Sequence, residues 1–240
     1  MNKSRKSTRQ KRQNNLAKKI KRFIFFLALF AILGSLSLVF LFRYIPPPTS
    51  AFMLYQHFTD FKNDKGLVRI RYQWAAKENI SPYIFAAVIA SEDQRFYQHS
   101  GFDFNAIASA LEERLNGRRL RGASTISQQV AKNLFLSPSR SLWRKGAEVW
   151  FTLLIELLWD KQRILEVYVN IAEFGDHLFG IESASRHFFD TPAKRLSAPR
   201  AALLAATLPN PKKFRTDHPS KYVLKKQQWI LQQMKNLGYL

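Results

Sequence analysis

Residues 23–42 form a run of twenty positions without a charge, broken only by Gly34, Ser35 and Ser37. At ~1.5 Å per residue the run reaches about 30 Å, the thickness of a bilayer's hydrocarbon core, and it predicts a transmembrane helix. Pro46, Pro47 and Pro48 make an extended spacer that cannot continue that helix. Farther along, apolar positions recur with helical period. Ser81 before Pro82 is an N-cap with proline at the first helical position, and 84–90 is entirely apolar, as in a buried helix. Phe104, Ile107, Ala108, Leu111 and Leu115 give a helical stripe that stops near Gly117. Residues 143–159, 161–171, 199–208 and 225–237 predict four more helices. Only 68–74 alternates as a strand would. The pattern predicts a mainly α protein.

Charge orients this plan. Residues 1–22 carry ten Lys and Arg and no acid, so this tail stays cytoplasmic and everything after Arg43 lies on the other side of the membrane. A cleaved signal peptide is the alternative, but the apolar run exceeds the usual ~7–15 residues and no small-x-small cleavage site follows it. The expected organisation is a basic tail (1–22), a membrane helix (23–42), a linker (43–66) and one folded domain (67–240). No cysteine occurs, which excludes disulfides and thiolate chemistry. The formal net charge is +21, and eleven of those units fall outside the tail. An exported basic domain points to an anionic membrane surface or to phosphates rather than to nucleic acid.

The densest chemistry follows the apolar helix: Glu92–Asp93, then Phe96, His99 and Gly101. A carboxylate at the edge of an apolar wall loses hydration, so its charged form is disfavoured and its pKa climbs toward the range of a general base. A second stretch, Ser124, Thr125, Ser127, Gln128 and Gln129 with Lys132 and Asn133 behind, offers hydroxyl, amide and cationic groups to a polyhydroxylated or phosphorylated ligand. A Ser/Thr cap opening a helix at Ile126 explains Ser124 equally well. A third holds Arg140, Arg144, Lys145 and Glu148, either a solvated helix face or a cation cluster facing a diphosphate leaving group. His99 by itself fits a structural histidine as well as a functional one.

These residues resemble glycosyltransferase family 51, the peptidoglycan glycosyltransferases, and in particular its monofunctional members. The motif Glu-Asp-x-x-Phe-x-x-His-x-Gly is met at Glu92, Asp93, Phe96, His99 and Gly101. The motif Gly-Gly-Ser-Thr-Ile-Thr-Gln-Gln with Lys-Asn is met at Gly122, Ser124, Thr125, Ile126, Gln128, Gln129, Lys132 and Asn133. Arg144, Lys145 and Glu148 match Arg-Lys-x-x-Glu, and 163–170 matches a fourth motif. Ala123, Ser127, Val169 and Arg200 depart from the pattern.

The resemblance implies a lysozyme-like, two-lobed helical domain with its smaller lobe against the membrane, anchored by one N-terminal helix in the bacterial inner membrane. It implies transfer of an undecaprenyl-diphosphate-linked glycan onto lipid II, with inversion and β-1,4 linkage. Glu92 would be the general base. Glu148 would assist at the diphosphate, directly or through a divalent cation (Mg or Mn). Asp93, Phe96, His99, Ser124, Thr125, Gln128, Gln129, Lys132, Asn133, Arg140, Arg144 and Lys145 would bind substrate. Cell-wall synthesis or division proteins are expected partners. A lytic hydrolase and a non-enzymatic wall-assembly scaffold are the rivals; neither needs cations beside a diphosphate.

Overall fold

The computed structural model describes residues 2–116, 124–139 and 141–240. Gly117, Gly122, Ala123 and Arg140 lie outside them. The chain divides into two units, Met1–Tyr44 and Ile45–Leu240. The first is one helix, α1 (Asn2–Tyr44), whose stretch Lys18–Tyr44 is long and apolar enough to cross a membrane.

The second unit is mainly α, as the periodicity predicts. In chain order it comprises α2 (Ala51–Lys62), β1 (Arg71–Tyr72), α3 (Pro82–Glu92), α4 (Phe104–Leu115), α5 (Ile126–Phe135), α6 (Leu142–Leu158) and α7 (Lys161–Ile171). Then follow β2 (Glu173–Gly175), β3 (Leu178–Phe179), α8 (Ile181–Phe189), α9 (Ala198–Thr207) and α10 (Lys221–Asn236). Side-chain caps start most of these helices by occupying N–H groups that have no partner within the helix. Asp103 Oδ1 accepts from Ala106 N at 3.0 Å, Asp160 Oδ1 from Arg163 N at 2.7 Å and Ser141 Oγ from Arg144 N at 3.2 Å. The core gathers α3, α9 and α10 against one another, and α5 between α6 and α7. Ile84, Ala87, Val88, Val130, Ile164 and Leu204 are fully enclosed there.

Three expectations change. The stretch 43–66, expected to be a linker, contains α2. Its Met53 and Asp60 are buried, and Asp60 Oδ2 meets His177 Nε2 at 2.7 Å. Two strands besides the expected one exist, in a small sheet of order β1-β3-β2, with β1 parallel and β2 antiparallel to β3. They are only two or three residues long, too short for an alternating pattern to register. The stripe on α4 has helical spacing but does not enter the core. Phe104 is 74% and Leu115 80% exposed, and Ala110 is the buried position. Periodicity identifies an apolar face without identifying what covers it.

Asn170 ties α7 to the start of the domain. Its Oδ1 accepts from Ala75 N and its Nδ2 donates to Ala75 O, both at 2.9 Å. Gly180 passes over it with φ +82°, and a Cβ there would stand 2.6 Å from the Asn170 carbonyl oxygen. Gly180→Ala combines left-handed strain with a backbone clash, so it is expected to destabilise the domain by about 3 kcal/mol or more. Gly146→Ala, mid-helix with open space around it, is expected to stabilise by about 0.5–1 kcal/mol. Thermal melting of both variants in detergent checks the opposite signs; a Gly180→Ala protein that melts with the wild type contradicts them.

Candidate active site

Glu92 is the last residue of α3, and Asp93 is its C-cap. Asp93 is only 7% exposed, and both its oxygens are committed. They accept from His99 Nε2 at 3.0 and 3.1 Å, and Oδ2 also accepts from Ile126 N at 3.0 Å. An ionised carboxylate only accepts, so Nε2 carries the histidine proton. Asp93 thus sits at the N-terminus of α5, where a negative charge is favoured by the helix dipole. Asp93 and His99, expected as substrate contacts, are joined instead in a clasp between two segments. Phe96 is fully buried and offers a ligand no surface, which corrects its assignment. Its role is packing, with Lys161 Nζ 4.4 Å from its ring centroid.

The hydroxyl-rich stretch divides in the same way. Thr125, not Ser124, caps α5. Its Oγ1 accepts from Gln128 N at 3.2 Å and donates to the Gly101 carbonyl at 2.7 Å, while Gln128 Oε1 accepts from Thr125 N at 3.0 Å. That reciprocal capping box consumes Thr125 and Gln128, both buried, so they too are structural rather than ligand contacts. Ser127 donates to Glu156. Ser124 stays exposed.

Gln129 points the other way. Its Nε2 donates to Glu92 Oε2 at 2.9 Å, and its Oε1 accepts from the Tyr168 hydroxyl at 3.2 Å. Burial pushes the Glu92 pKa up, partly offset by the Gln129 hydrogen bond and by the charges of Lys226 and Lys132; Asp93 adds a smaller upward push. Lys132, one turn along α5 from Gln129, is pushed down by burial. Glu148 and Glu92 pull it back up, and Arg144 and Lys145 oppose them. Lys132 is therefore the cation that couples the two acids. Asn133 is half-buried, and its Oδ1 has no hydrogen-bond partner among the described residues.

Glu148 is 3% exposed on α6. Arg144 Nη1 reaches its Oε2 at 2.6 Å and Lys145 Nζ its Oε1 at 2.5 Å. The charge run is thus a paired cluster around one buried acid, not a solvated face. Lys145 keeps half its side chain exposed. Mg or Mn at Glu148 does not fit these residues: both oxygens are already neutralised by side chains. Among the described residues no group of three or more His, Asp or Glu could hold a metal ion. Arg140 lies outside the described residues.

Glu92, Asp93, Ser124 and Thr125 line a cavity of about 420 Å³ together with Gln94, Glu113, Trp229 and Gln233. Sequence reasoning missed Trp229, Gln233 and Lys226, which α10 brings across from the end of the chain. It also left Tyr168 without a role. Local pattern holds no signal for α10's approach, since Trp229 there looks like any apolar helix position.

Known proteins resemble this chain over most of its length. The family model described as Transglycosylase matches residues 63–235. A Mannheimia succiniciproducens protein named biosynthetic peptidoglycan transglycosylase is 50% identical over 230 residues, which is 95% of this chain and 92% of that protein. Proteins of the same name from Haemophilus influenzae and Pasteurella multocida are 52% identical over 217 residues and 54% over 211. These matches cover 90% and 88% of this chain, and 86% and 85% of theirs.

Asp93→Asn turns one acceptor oxygen into a donor that faces either His99 Nε2–H or Ile126 N–H. The expected cost is about 1–3 kcal/mol of stability, since a buried donor loses its partner. Melting of the purified variant measures it, and a melting temperature equal to wild type contradicts the clasp.

Proposed function

The chain belongs to the transglycosylase family, and on that premise we propose that Glu92 is the general base of a peptidoglycan polymerase that uses lipid II. The protein is a glycosyltransferase of cell-wall synthesis. The observation that carries the finer reading is the setting of Glu92. It is an acid at the end of a buried apolar helix, with its proton affinity raised by burial, beside a half-buried lysine.

In the proposed step the acceptor's GlcNAc 4-hydroxyl gives its proton to the Glu92 carboxylate as its oxygen bonds to the donor's anomeric carbon. The bond from that carbon to the diphosphate breaks, and its electron pair leaves on the phosphate oxygen. Attack opposite the leaving group inverts the centre, giving a β-1,4 linkage. Lys132, Arg144 and Lys145 are assigned to the diphosphate, each charge-assisted contact worth about 1.5–3 kcal/mol. Arg140 belongs to this set by sequence. Glu148 holds Arg144 and Lys145 in place. Ser124, Gln129 and Asn133 are assigned to the sugar and lipid-linked substrate.

Membrane association follows the same reading. The helix containing Lys18–Tyr44 fits a single-pass anchor, with the basic tail cytoplasmic and the domain outside the bacterial inner membrane. Leu142 and Trp143, 90% and 92% exposed, and the bare stripe of α4 would suit lipid contact. That arrangement keeps the site at the surface where lipid-linked donors and acceptors lie. Synthase or division partners belong to this proposal as expected associates in the membrane.

Glu92→Gln keeps the shape of the side chain but cannot accept the proton, so polymerisation of lipid II should fall by about two to four orders of magnitude, with a melting temperature at or above that of the wild type. The assay is initial rate with products resolved on a gel. Wild-type turnover by the folded variant overturns the assignment.

A further inference from the structure

Tyr168 lies on α7, 2% exposed, where that helix packs on α5. It does not reach the cavity. Its hydroxyl donates to Gln129 Oε1 at 3.2 Å, and Gln129 Nε2 donates in turn to Glu92 Oε2 at 2.9 Å. A carboxamide has one accepting and one donating end, and a half-turn of its last torsion exchanges them. If Oε1 faced Glu92, two acceptors would oppose each other unless the carboxyl held a proton. The hydroxyl of Tyr168 weights that choice: it donates to Oε1, and with the amide turned it would accept from Nε2 and leave its own buried proton without that acceptor. Burial, with the negative charges of Glu92 and Asp93, holds the Tyr168 pKa well above 10, so the phenol keeps its proton.

We propose that Tyr168 is a positioning residue for the transfer reaction: it fixes which end of Gln129 faces Glu92, and so keeps that carboxyl oriented and ionised. This rests on Glu92 being the base. The groups acting on Glu92 are Gln129 and Lys132 from α5, Lys226 from α10 and Asp93 beside it, and Tyr168 from α7 acts through Gln129. Lys132 Nζ lies over the Phe52 ring and Lys226 Nζ over the Trp229 ring, while the Tyr168 hydroxyl meets the amide, so removing that hydroxyl acts first on Gln129. Without it Gln129 can turn, and the carboxylate loses its donor for part of the time. The proton affinity of Glu92 then rises, and fewer molecules are active at a given acidic pH.

The test is the pH profile of kcat/KM for lipid II polymerisation between about pH 4 and 8, with full-length enzyme in detergent. Tyr168→Phe should move the acid limb up by about half to one pH unit, a three- to tenfold loss below the limb. Rates above it should stay near wild type, and KM should hold. In a Gln129→Ala background the same change should add no shift. An unmoved limb, whether the rate falls uniformly or not at all, overturns the positioning role and leaves packing. If Tyr168→Phe does not fold, 3-fluorotyrosine at this position keeps the shape and donates more strongly. Its limb should lie at or below the wild-type one, and a raised limb overturns the idea. Glu92→Asp separates the two proposals. If it leaves the limb in place, the limb is not that of Glu92 and the base assignment fails. If it moves the limb while Tyr168→Phe does not, only the positioning role fails.

Discussion

The site depends on one carboxylate that is not in line to react. Asp93 stops α3, takes the proton-bearing nitrogen of His99 and receives the first N–H of α5. Thr125 adds a second tie by donating to the Gly101 carbonyl. Each hydrogen bond to a charged group is worth about 1.5–3 kcal/mol, which is enough to fix where α5 begins relative to the end of α3. Once that junction is set, Glu92 and Gln129 are opposed without further choice. Gly101 can approach this junction only because it lacks a side chain: a Cβ would stand 2.9 Å from Glu156 Cγ and Thr152 Cγ2, and φ is +88°.

That placement sets two electrostatic effects against each other at Glu92. Burial disfavours its charge, and Gln129, Lys226 and Lys132 restore part of it. A glutamate whose pKa is raised in the folded state contributes least to stability once it is ionised: the fold gains below the unfolded pKa and loses as pH rises through the folded one. Glu92 is therefore a standing cost to the fold at neutral pH, as expected of a group retained for proton transfer. Glu148 is handled differently. Two cations close on a nearly enclosed acid, and Lys132 senses both acids. The positive charge of Arg144 and Lys145 is thus held in place by an internal counter-charge.

Much of this was legible in the chain. Helices with a cap residue and an apolar run or stripe, such as those beginning after Ser81, Asp103 and Asp160, were readable because local chemistry defines their ends. The helix α8 was not. It opens at Gly180 without a side-chain cap, and its place depends on a backbone crossing at Asn170. In the site, residue type was readable but side-chain direction was not. Thr125, Gln128 and Asp93 look like ligand groups in sequence, yet each is committed to partners inside the fold, and the Asp93 bond to Ile126 spans thirty-three positions. Gln129, next to Gln128, leaves the helix on a different side because neighbours are separated by about 100°. Trp229 reaches the cavity, and Tyr168 reaches Gln129 behind it, through tertiary packing that no local pattern announces.

The central claim is that burial leaves Glu92 with an unusually high proton affinity while it still faces the reacting hydroxyl. Carbon-13 NMR of the side-chain carboxyl in glutamate-labelled protein, assigned by the signal missing from Glu92→Gln, measures that affinity directly. The account predicts a midpoint above the ordinary glutamate value of 4.5. A midpoint at or below 4.5 would contradict it, because Glu92 would then be a solvated acid with little power to take the proton.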